Sequence, residues 1–302
     1  MKKFLVVITG PTGSGKTAMA VRLADRFGSE IVSADSRQVF KEMPIGTAQP
    51  SNEELRLVKH HLIGHRSVRE EYNAEIFSKE ADAVLGQLFL TKNIAILCGG
   101  SGLYINALLH GLDSIPEVSD EIRGAIDREF QKNGLEWLQQ QVLQIDPIWY
   151  NRTDSSNPRR LLRALEVYRQ TGKPLSSFQL GKTKELPYSV LKIGLNRTRE
   201  NLYRTIDERT DFMISAGLEE EVKSLLDFRM QKALQTVGYQ EFFEFFDGKC
   251  SRQEAIEKIK QHTRNYAKRQ LTWFRSDSSL EWFNFDDFSR LFDRITSFTH
   301  HP

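Results

Sequence analysis

Cysteine is scarce in this sequence, because the 302 residues include only Cys98 and Cys250. Two cysteines exclude a disulfide framework and a cysteine-ligated zinc cluster. A long apolar run is also lacking, since the one that follows Met1-Lys2-Lys3 is too short for a signal peptide or a transmembrane helix. Charge of one sign is lacking too, because 42 basic and 40 acidic residues leave a net charge of +2. We therefore expect a soluble, cytoplasmic protein without a membrane partner, whose affinity for nucleic acid would reside in local patches.

The strongest motif present fits the phosphate-loop pattern G-x-x-x-x-G-K-[ST] without a mismatch: Gly10-Pro11-Thr12-Gly13-Ser14-Gly15-Lys16-Thr17. The apolar run Lys3–Thr9 predicts a buried parallel strand before it, and Thr17–Phe27 predicts a helix that ends at Gly28. Backbone N–H groups and the helix dipole at such a turn bind phosphate oxygens. Lys16 adds a positive charge, and the Thr17 hydroxyl is a ligand for Mg²⁺. The chain is predicted to bind a di- or triphosphate.

Two further strands are expected to end at the same edge of the sheet. Glu30–Asp35 predicts a strand that ends on a carboxylate, and Asn93–Cys98 predicts another, which is followed by the glycine turn Gly99–Tyr104. Ligands of open parallel sheets bind beyond the carboxyl ends of the strands, so Asp35 and this turn should lie beside the phosphates. A turn or helix N-cap role is the alternative for Asp35. Cys98-Gly99 stands where a hydrolytic NTPase carries an acid, which argues against a motor or switch.

The character of the chain changes after Gly111, where helical patterns follow one another without a strand until Val190–Asn196. The predicted helices of this part are Ser119–Lys132, Leu135–Ile145 and the one after Asn157-Pro158. With 39% apolar residues, the chain has enough material for a sizeable core. We predict an α/β fold with a P-loop NTPase-like parallel sheet flanked by helices. Residues 1–111 and 189–302 form the core domain of this prediction, and 112–188 form a helical insertion domain.

Two helices are rich in arginine and lysine. Arg159, Arg160 and Arg163 lie within five positions of one helix, although a solvated helix face explains them equally well. The predicted helix Glu254–Arg275 carries five basic residues after Ile259 and no acid among them: Lys260, Arg264, Lys268, Arg269 and Arg275. Tyr266, Trp273 and Phe274 are interleaved with these cations. A basic stripe with aromatic side chains suits a phosphate backbone and its bases.

In order and over nearly the whole chain, these motifs resemble those of the tRNA dimethylallyltransferases, also called tRNA isopentenyltransferases. Besides the phosphate loop, the resemblance rests on Ser33–Val39, Ile45–Ala48, His60–Leu62, Gly99–Tyr104, Asn157–Val167, Val237–Tyr239 and Thr263–Gln270. The resemblance implies a monomeric enzyme that transfers a dimethylallyl group from dimethylallyl diphosphate to N6 of the adenosine 3′ to the tRNA anticodon. The adenosine would have to leave the stacked anticodon loop to reach the site.

The resemblance also implies roles for individual residues. Asp35 would accept the N6 proton or orient the amine, while Lys16, Arg209 and Mg²⁺ on Thr17 would neutralise the diphosphate leaving group. The implied tRNA contacts are Asp35, Ser36, Arg37, Gln38, Ser101, Arg123, Arg159, Arg160, Leu161, Leu162, Arg163, Val237, Gly238, Tyr239, Gln240, Arg264, Lys268 and Arg269. His60-His61 lacks a partner at the spacing of a zinc site or a nucleophile triad, which favours a structural role.

Two other classes of function fit part of the sequence. A nucleoside or nucleotide kinase would use the same loop and an Asp35-like base, but it has no need of the basic aromatic helix. A non-catalytic RNA-binding ATPase would explain that helix and would leave Asp35 without a task. Both consume ATP, whereas the transferase consumes none.

Overall fold

The computed structural model describes residues 2–179, 181 and 184–300. The strands of this part are β1 Phe4–Thr9, β2 Ile31–Ser33, β3 His60–His61, β4 Ile94–Cys98, β5 Ser189–Asn196 and β6 Glu281–Asn284. The first six helices are α1 Lys16–Phe27, α2 Asn52–Leu57, α3 Ala74–Thr91, α4 Gly102–His110, α5 Asp120–Ile145 and α6 Pro147–Tyr150. The others are α7 Pro158–Thr171, α8 Arg199–Ser215, α9 Leu218–Ser224, α10 Gln240–Phe246, α11 Arg252–Arg275 and α12 Phe288–His300.

The strands form one parallel sheet in the order β3-β2-β4-β1-β5-β6. Strand β1 is buried along its whole length, as a central parallel strand covered on both faces must be. Because all the strands run the same way, the residues that follow β1, β2 and β4 meet at one edge of the sheet. The predicted α/β class with a P-loop-like sheet is confirmed.

Helices cover both faces of the sheet. On one face, Met19 and Leu23 of α1 pack with Ile295 of α12 against the strands. On the other, Phe77 of α3 and Leu108 of α4 are fully buried in a second cluster. The central strands therefore have no freedom to shift, and the loops at their carboxyl ends are held in place by a close-packed core.

The chain divides into two compact units, Met1–Leu109 with Glu185–Pro302, and His110–Lys184. The second unit has a core of its own, to which Leu138 of α5 and Leu161 and Leu165 of α7 contribute. Gly134 interrupts α5 with φ 76° and ψ −171°, so the two helices predicted there follow each other across a kink. Within the described residues, no helix is long and apolar enough to cross a membrane.

Strands β3 and β6 and helix α12 are among the elements that were not predicted from the sequence. Strand β3 is only two residues long and forms at the edge of the sheet, where His60 pairs with Ile31. Strand β6 and helix α12 follow α11 and complete the opposite edge. Their apolar residues contribute to the same core as α1, for example Phe283 and Leu291.

Candidate active site

The phosphate loop has the conformation that its sequence predicts. Gly10, Gly13 and Gly15 have φ values of 143°, 82° and 89°, which residues with a side chain rarely adopt. A Cβ atom on Gly10 would lie 2.4 Å from the carbonyl oxygen of Leu195, and one on Gly15 would lie 2.3 Å from the Phe285 ring. Helix α1 begins at Lys16, immediately after these glycines. The free N–H groups of its first turn are available to an anion.

Two partly buried cations converge on this loop. Lys16 donates from Nζ to the carbonyl oxygen of Pro11 at 2.8 Å, and Arg209 of α8 donates to the Thr12 hydroxyl. Burial lowers the pKa of Lys16 to about 8, although Cys98 and Asp35 act in the opposite direction. Burial also lowers the pKa of Arg209, and Asp35 again opposes the shift. Desolvated cations gain most from a ligand with several negative charges, which is what a diphosphate offers.

Asp35 lies just beyond the end of β2 and has one free carboxylate oxygen. Its Oδ1 accepts hydrogen bonds from the backbone N–H groups of Arg37 at 2.9 Å and Gln38 at 3.3 Å. Within the described part of the chain, Oδ2 has no hydrogen-bond partner. Asp35 therefore has the turn role that was the alternative prediction. It also lies close to Lys16 and Arg209, as the first prediction requires. Oδ1 holds the turn, which leaves Oδ2 to accept a proton.

Hydrogen bonds connect the loops that follow β1, β2 and β4. The Thr9 hydroxyl donates to the Gly99 carbonyl oxygen at 2.9 Å, and the Ser101 hydroxyl accepts from the backbone N–H of Ser36 at 2.9 Å. Gln270 of α11 bridges the two glycine turns. Its amide oxygen accepts from the backbone N–H of Thr12 at 2.8 Å, and its amide nitrogen donates to the Gly100 carbonyl oxygen at 2.9 Å.

The bridging role of Gln270 was not predicted from the sequence. One signal was available, because Ala267, Gln270 and Phe274 follow helical spacing on the buried face of α11. A polar side chain on such a face needs a hydrogen-bond partner in the protein. The sequence cannot name that partner, since Thr12 lies 258 residues away.

A largely apolar cavity of about 310 Å³ separates the second glycine turn from α11. Its walls include Ser36, Ser101, Tyr104, Tyr266, Arg269, Gln270 and Trp273. Tyr266 and Trp273 are 39% and 41% exposed, which is high for aromatic rings of this size. The cavity thus offers aromatic surface next to Ser36, the neighbour of Asp35. A planar, weakly polar group suits these walls.

The basic stripe on α11 is partly neutralised by α8. Lys260 pairs with Asp211 at 2.7 Å, and Arg264 pairs with Asp207 at 2.6 Å. Two of the five cations therefore have an acid partner in the fold, a pairing that reduces the unneutralised charge of α11. The sequence of α11 alone could not reveal it, because the acids lie on another helix.

Lys268 and Arg269 form no ion pair within the described residues. Lys268 lies over the Tyr203 ring at 5.9 Å, and Arg269 lies over the Tyr266 ring at 5.8 Å. Cation–π contacts leave the positive charge available to a further anion. These two residues retain the predicted character of an open basic surface.

Several residues that were predicted to contact RNA in the core unit form contacts that stabilise the fold. Tyr239 is fully buried, and its hydroxyl donates to Glu221 at 2.6 Å. The ring is therefore enclosed by protein, and the RNA contact expected of residues 237–240 stays a prediction. Gly238 is buried beside it and donates its N–H to Glu241, whereas Val237 is partly exposed and Gln240 is exposed.

Arg37 and Gln38 also hold the fold from partly buried positions. Arg37 donates to the carbonyl oxygens of Lys232 and Ala233, and Gln38 donates to that of Ala48 at 2.8 Å. Burial lowers the pKa of Arg37, and Asp35 counters the shift. The turn after Asp35 is therefore rigid.

In the insertion, the predicted contacts differ in exposure. Arg159 and Arg160 are exposed, while Arg163 donates to the Pro116 carbonyl oxygen and lies 3.6 Å from Glu166. Arg123 pairs with Asp120 at 3.1 Å. Leu162 is partly exposed, but Leu161 is fully buried in the core of the insertion. The Leu161 side chain therefore packs inside the insertion, and the RNA contact expected of this residue stays a prediction.

The histidine pair has structural partners, in agreement with the role that its spacing favours. His60 contacts the Val58 carbonyl oxygen through Nδ1 at 2.8 Å, and His61 contacts Glu30 through Nε2 at 2.6 Å. Both residues belong to β3, far along the sheet from β1. Burial lowers the pKa of His60 and favours its neutral form.

The metal expectation rests on Thr17. The described residues contain no group of three or more His, Cys, Asp or Glu side chains that could hold a metal ion. Mg²⁺ at a phosphate loop uses few protein ligands, since substrate phosphates and water fill its other positions. Thr17, the second residue of α1, and the nearby carboxylate of Asp35 are oxygen donors of the kind that such a site uses.

Fold and site together define a phosphate-loop protein whose architecture suits group transfer more than nucleotide hydrolysis. Two partly buried cations and a carboxylate lie at the loop, and β4 ends at Cys98, followed by glycines and no acid. Comparison with known proteins makes this class specific. The sequence profile described as IPP transferase matches residues 38–277.

Relatives match nearly the full length. The tRNA dimethylallyltransferase of Cytophaga hutchinsonii is 49% identical over 94% of this chain and 93% of its own. That of Christiangramia forsetii is 46% identical over 98% of this chain and 99% of its own. The crystal structure of the tRNA isopentenylpyrophosphate transferase from Bacillus halodurans is 34% identical, with a TM-score of 0.73 over 99% of this chain and 97% of that one. The chain belongs to the IPP transferase family and is a prenyltransferase.

Proposed function

We propose that this enzyme transfers the dimethylallyl group of dimethylallyl diphosphate to N6 of the adenosine 3′ to the anticodon in tRNA. The observation that carries the proposal is a phosphate loop with two partly buried cations and Asp35 beside it, in a chain 49% identical to a tRNA dimethylallyltransferase. In the reaction, a bond forms between N6 and C1 of the allyl group as the bond from C1 to the diphosphate oxygen breaks. The products are N6-(dimethylallyl)adenosine, diphosphate and a proton.

Asp35 receives that proton. Its Oδ1 is engaged by two backbone N–H groups, so Oδ2 is the oxygen that faces the amine. A carboxylate held this way can orient the N6 hydrogen before transfer and accept it as the C–N bond forms. The rigid turn through Arg37 and Gln38 keeps the carboxylate in place between turnovers.

The phosphate loop binds the diphosphate as a leaving group. Lys16, Arg209 and the N–H groups of the first turn of α1 stabilise the negative charge that grows on it. When bound, Mg²⁺ on Thr17 supplies further neutralisation of that charge. Lys16 must be protonated for this task, and its pKa of about 8 places the change in charge close to neutral pH.

The apolar cavity between the second glycine turn and α11 receives the acceptor adenine. Tyr266 and Trp273 offer faces for stacking, and Ser36 and Ser101 offer polar groups at the rim. An adenosine within a stacked anticodon loop cannot enter such a cavity, so it flips out of the loop.

Two basic surfaces hold the RNA: Lys268 and Arg269 on α11, and Arg159 and Arg160 on α7. We further propose that the enzyme acts in the cytoplasm as a monomer. The test is mass spectrometry of an anticodon stem-loop RNA incubated with enzyme, Mg²⁺ and dimethylallyl diphosphate. We expect one added dimethylallyl group on the adenosine 3′ to the anticodon, and none when that base is guanosine. An unmodified RNA would contradict the proposal.

A further inference from the structure

The insertion contains a cavity of about 600 Å³ whose walls include Arg159 and Arg160 of the basic surface on α7, and none of the roles above uses its interior. Its walls come from the loop before α5, from α6 and the residues after it, from α7, and from the segment after Pro174. They include Ile115, Ile148, Trp149, Arg152, Arg159, Arg160, Arg163 and Leu175. The volume lies in the range of about 300–1,000 Å³ that is typical of small-molecule sites.

The charge of these walls has one sign. Four arginines line the cavity and, among the described residues, no aspartate or glutamate does. Arg163 is engaged by Pro116 and Glu166. By contrast, the guanidinium groups of Arg152 and Arg159 have no hydrogen-bond or ion-pair partner in the described part of the chain. Unpaired guanidinium groups around a cavity indicate an anionic ligand, and their planar geometry suits phosphate.

The cavity also has an apolar surface that a free phosphate ion would not use. Trp149 is partly buried against the core of the insertion, and Ile148 beside it is 61% exposed. The indole of Trp149 and the exposed Ile148 provide an apolar surface on which a ring can stack. The arginines a few residues away provide contacts for a phosphate. A nucleotide combines these two chemistries, because its ribose links a flat base to a phosphate.

The walls are held in place by a buried acid. Asp146 is 2% exposed and accepts from the backbone N–H of Trp149 at 3.1 Å and from that of Ser176 at 2.8 Å. One carboxylate therefore fixes α6 to the segment after Pro174 across the cavity. This preorganisation means that a ligand need not pay to order the walls.

We propose that this cavity binds an unstacked nucleotide of the substrate RNA, other than the adenosine that is modified. The base packs against Trp149 and Ile148, and its phosphate contacts Arg152 and Arg159. The inference rests on the proposed function in that RNA is the substrate. It adds a second base-holding site, within the insertion, to the adenine cavity of the core unit.

The experiment measures binding of a fluorescent anticodon stem-loop RNA over a range of salt to wild type, Trp149→Ala, Trp149→Phe and Arg152→Ala. We expect Trp149→Ala to weaken binding between about fivefold and a hundredfold, the usual worth of one stacked base, without a change in salt dependence. Trp149→Phe should keep most of the affinity. Arg152→Ala should weaken binding and reduce the slope of log K against log salt by about 0.7–0.9. Lys132→Ala, an exposed position outside the cavity walls, is the matched control.

A second series identifies the nucleotide. RNAs made abasic at one loop position at a time are compared on wild type and Trp149→Ala, and the occupied position is the one whose loss costs wild type affinity but costs the variant none. Equal affinity of wild type, Trp149→Ala and Arg152→Ala would overturn the proposal. Transfer to saturating RNA, measured in the same variants, tests the proposed function separately. Prenylated RNA with unchanged affinities would reject the cavity alone, and absence of product in wild type would reject the activity.

Discussion

The phosphate loop and the insertion are both proposed to bind anions, and the physical basis differs between them. At the loop, Lys16 and Arg209 are partly buried, and desolvation lowers the pKa of each. In the insertion, Arg159 and Arg160 are exposed. Buried cations favour a small ligand of high charge density that can replace their lost hydration. Exposed arginines favour a long polyanion, and salt screens their attraction. We therefore predict that mutations at the phosphate loop change turnover or donor affinity, whereas mutations of the exposed arginines change the salt dependence of RNA binding by a smaller amount.

The largest effect is expected from Asp35, which serves the chemistry more than the binding of either substrate. Asp35→Ala should lower kcat by about 10²-fold or more, the usual range for loss of a general base. Donor affinity should change little, since Asp35 does not contact the diphosphate. Single-turnover kinetics with prebound RNA measure the effect. Turnover close to that of wild type would remove Asp35 from the mechanism.

Next in size is the loss of Lys16. Lys16→Ala should weaken both dimethylallyl diphosphate and inorganic pyrophosphate by about 10- to 100-fold, because one charged hydrogen bond is worth about 1.5–3 kcal/mol. RNA affinity at fixed salt should stay unchanged, which would sharpen the contrast between the two regions. Calorimetry with pyrophosphate is the measurement. Arg209→Ala should behave in the same way.

The burial of Lys16 also predicts a pH dependence. Its folded pKa is about 8, below the ordinary value of 10.5, so the free enzyme loses this proton as pH rises through about 8. Donor affinity should be full below that pH and should fall above it by up to about tenfold per pH unit. Lys16→Arg should shift the fall to much higher pH. A flat affinity profile between pH 7 and 9.5 would contradict the role of this amine.

A smaller effect is expected from Gln270, a positioning residue between the two glycine turns. Gln270→Met leaves the N–H of Thr12 and the carbonyl oxygen of Gly100 without their partner, at a cost of about 1–3 kcal/mol for a buried polar group. Donor KM should rise, whereas the salt dependence of RNA binding should not move. Gln270→Glu keeps the contact to Thr12 and should restore part of the donor affinity. Equal KM values in all three enzymes would show that the bridge has no role.

The smallest effects are expected on the basic surfaces. Arg269→Ala should flatten the salt dependence of tRNA binding by about 0.7–0.9 of a unit, with no change in donor affinity. Arg264→Ala should flatten it less, because Asp207 already neutralises Arg264. Titrations over a range of salt compare the two variants. Parallel slopes for wild type and Arg269→Ala would assign Arg269 to an ordinary solvated face.

The sequence predicts best where the pattern is local. Helix α1 ends at Phe27 before Gly28, as predicted, and the loop Gly10–Thr17 has its predicted conformation. Both follow from periodicity and from the glycine spacing of a single segment. Strand β3 was missed because two residues carry no periodic signal, and they form a strand only by pairing with β2.

Contacts between residues that are distant in the sequence could not be predicted. The partners of Lys260 and Arg264 lie on α8, so the charge of α11 appeared larger from the sequence than it is. Tyr239 belongs to a motif by which the chain resembles the family. Its side chain is fully buried, and its hydroxyl donates a hydrogen bond to Glu221. A motif identifies residues that matter, and only packing shows whether they act on a ligand or on the fold.

The central claim is that the phosphate loop releases a diphosphate that it never cleaves. The most direct measurement is the stoichiometry of diphosphate, orthophosphate and modified adenosine, with dimethylallyl diphosphate as donor and no nucleotide present. We predict one diphosphate for each modified adenosine and no orthophosphate. Release of orthophosphate, or a requirement for ATP, would contradict the account and would favour the kinase or ATPase reading of the loop.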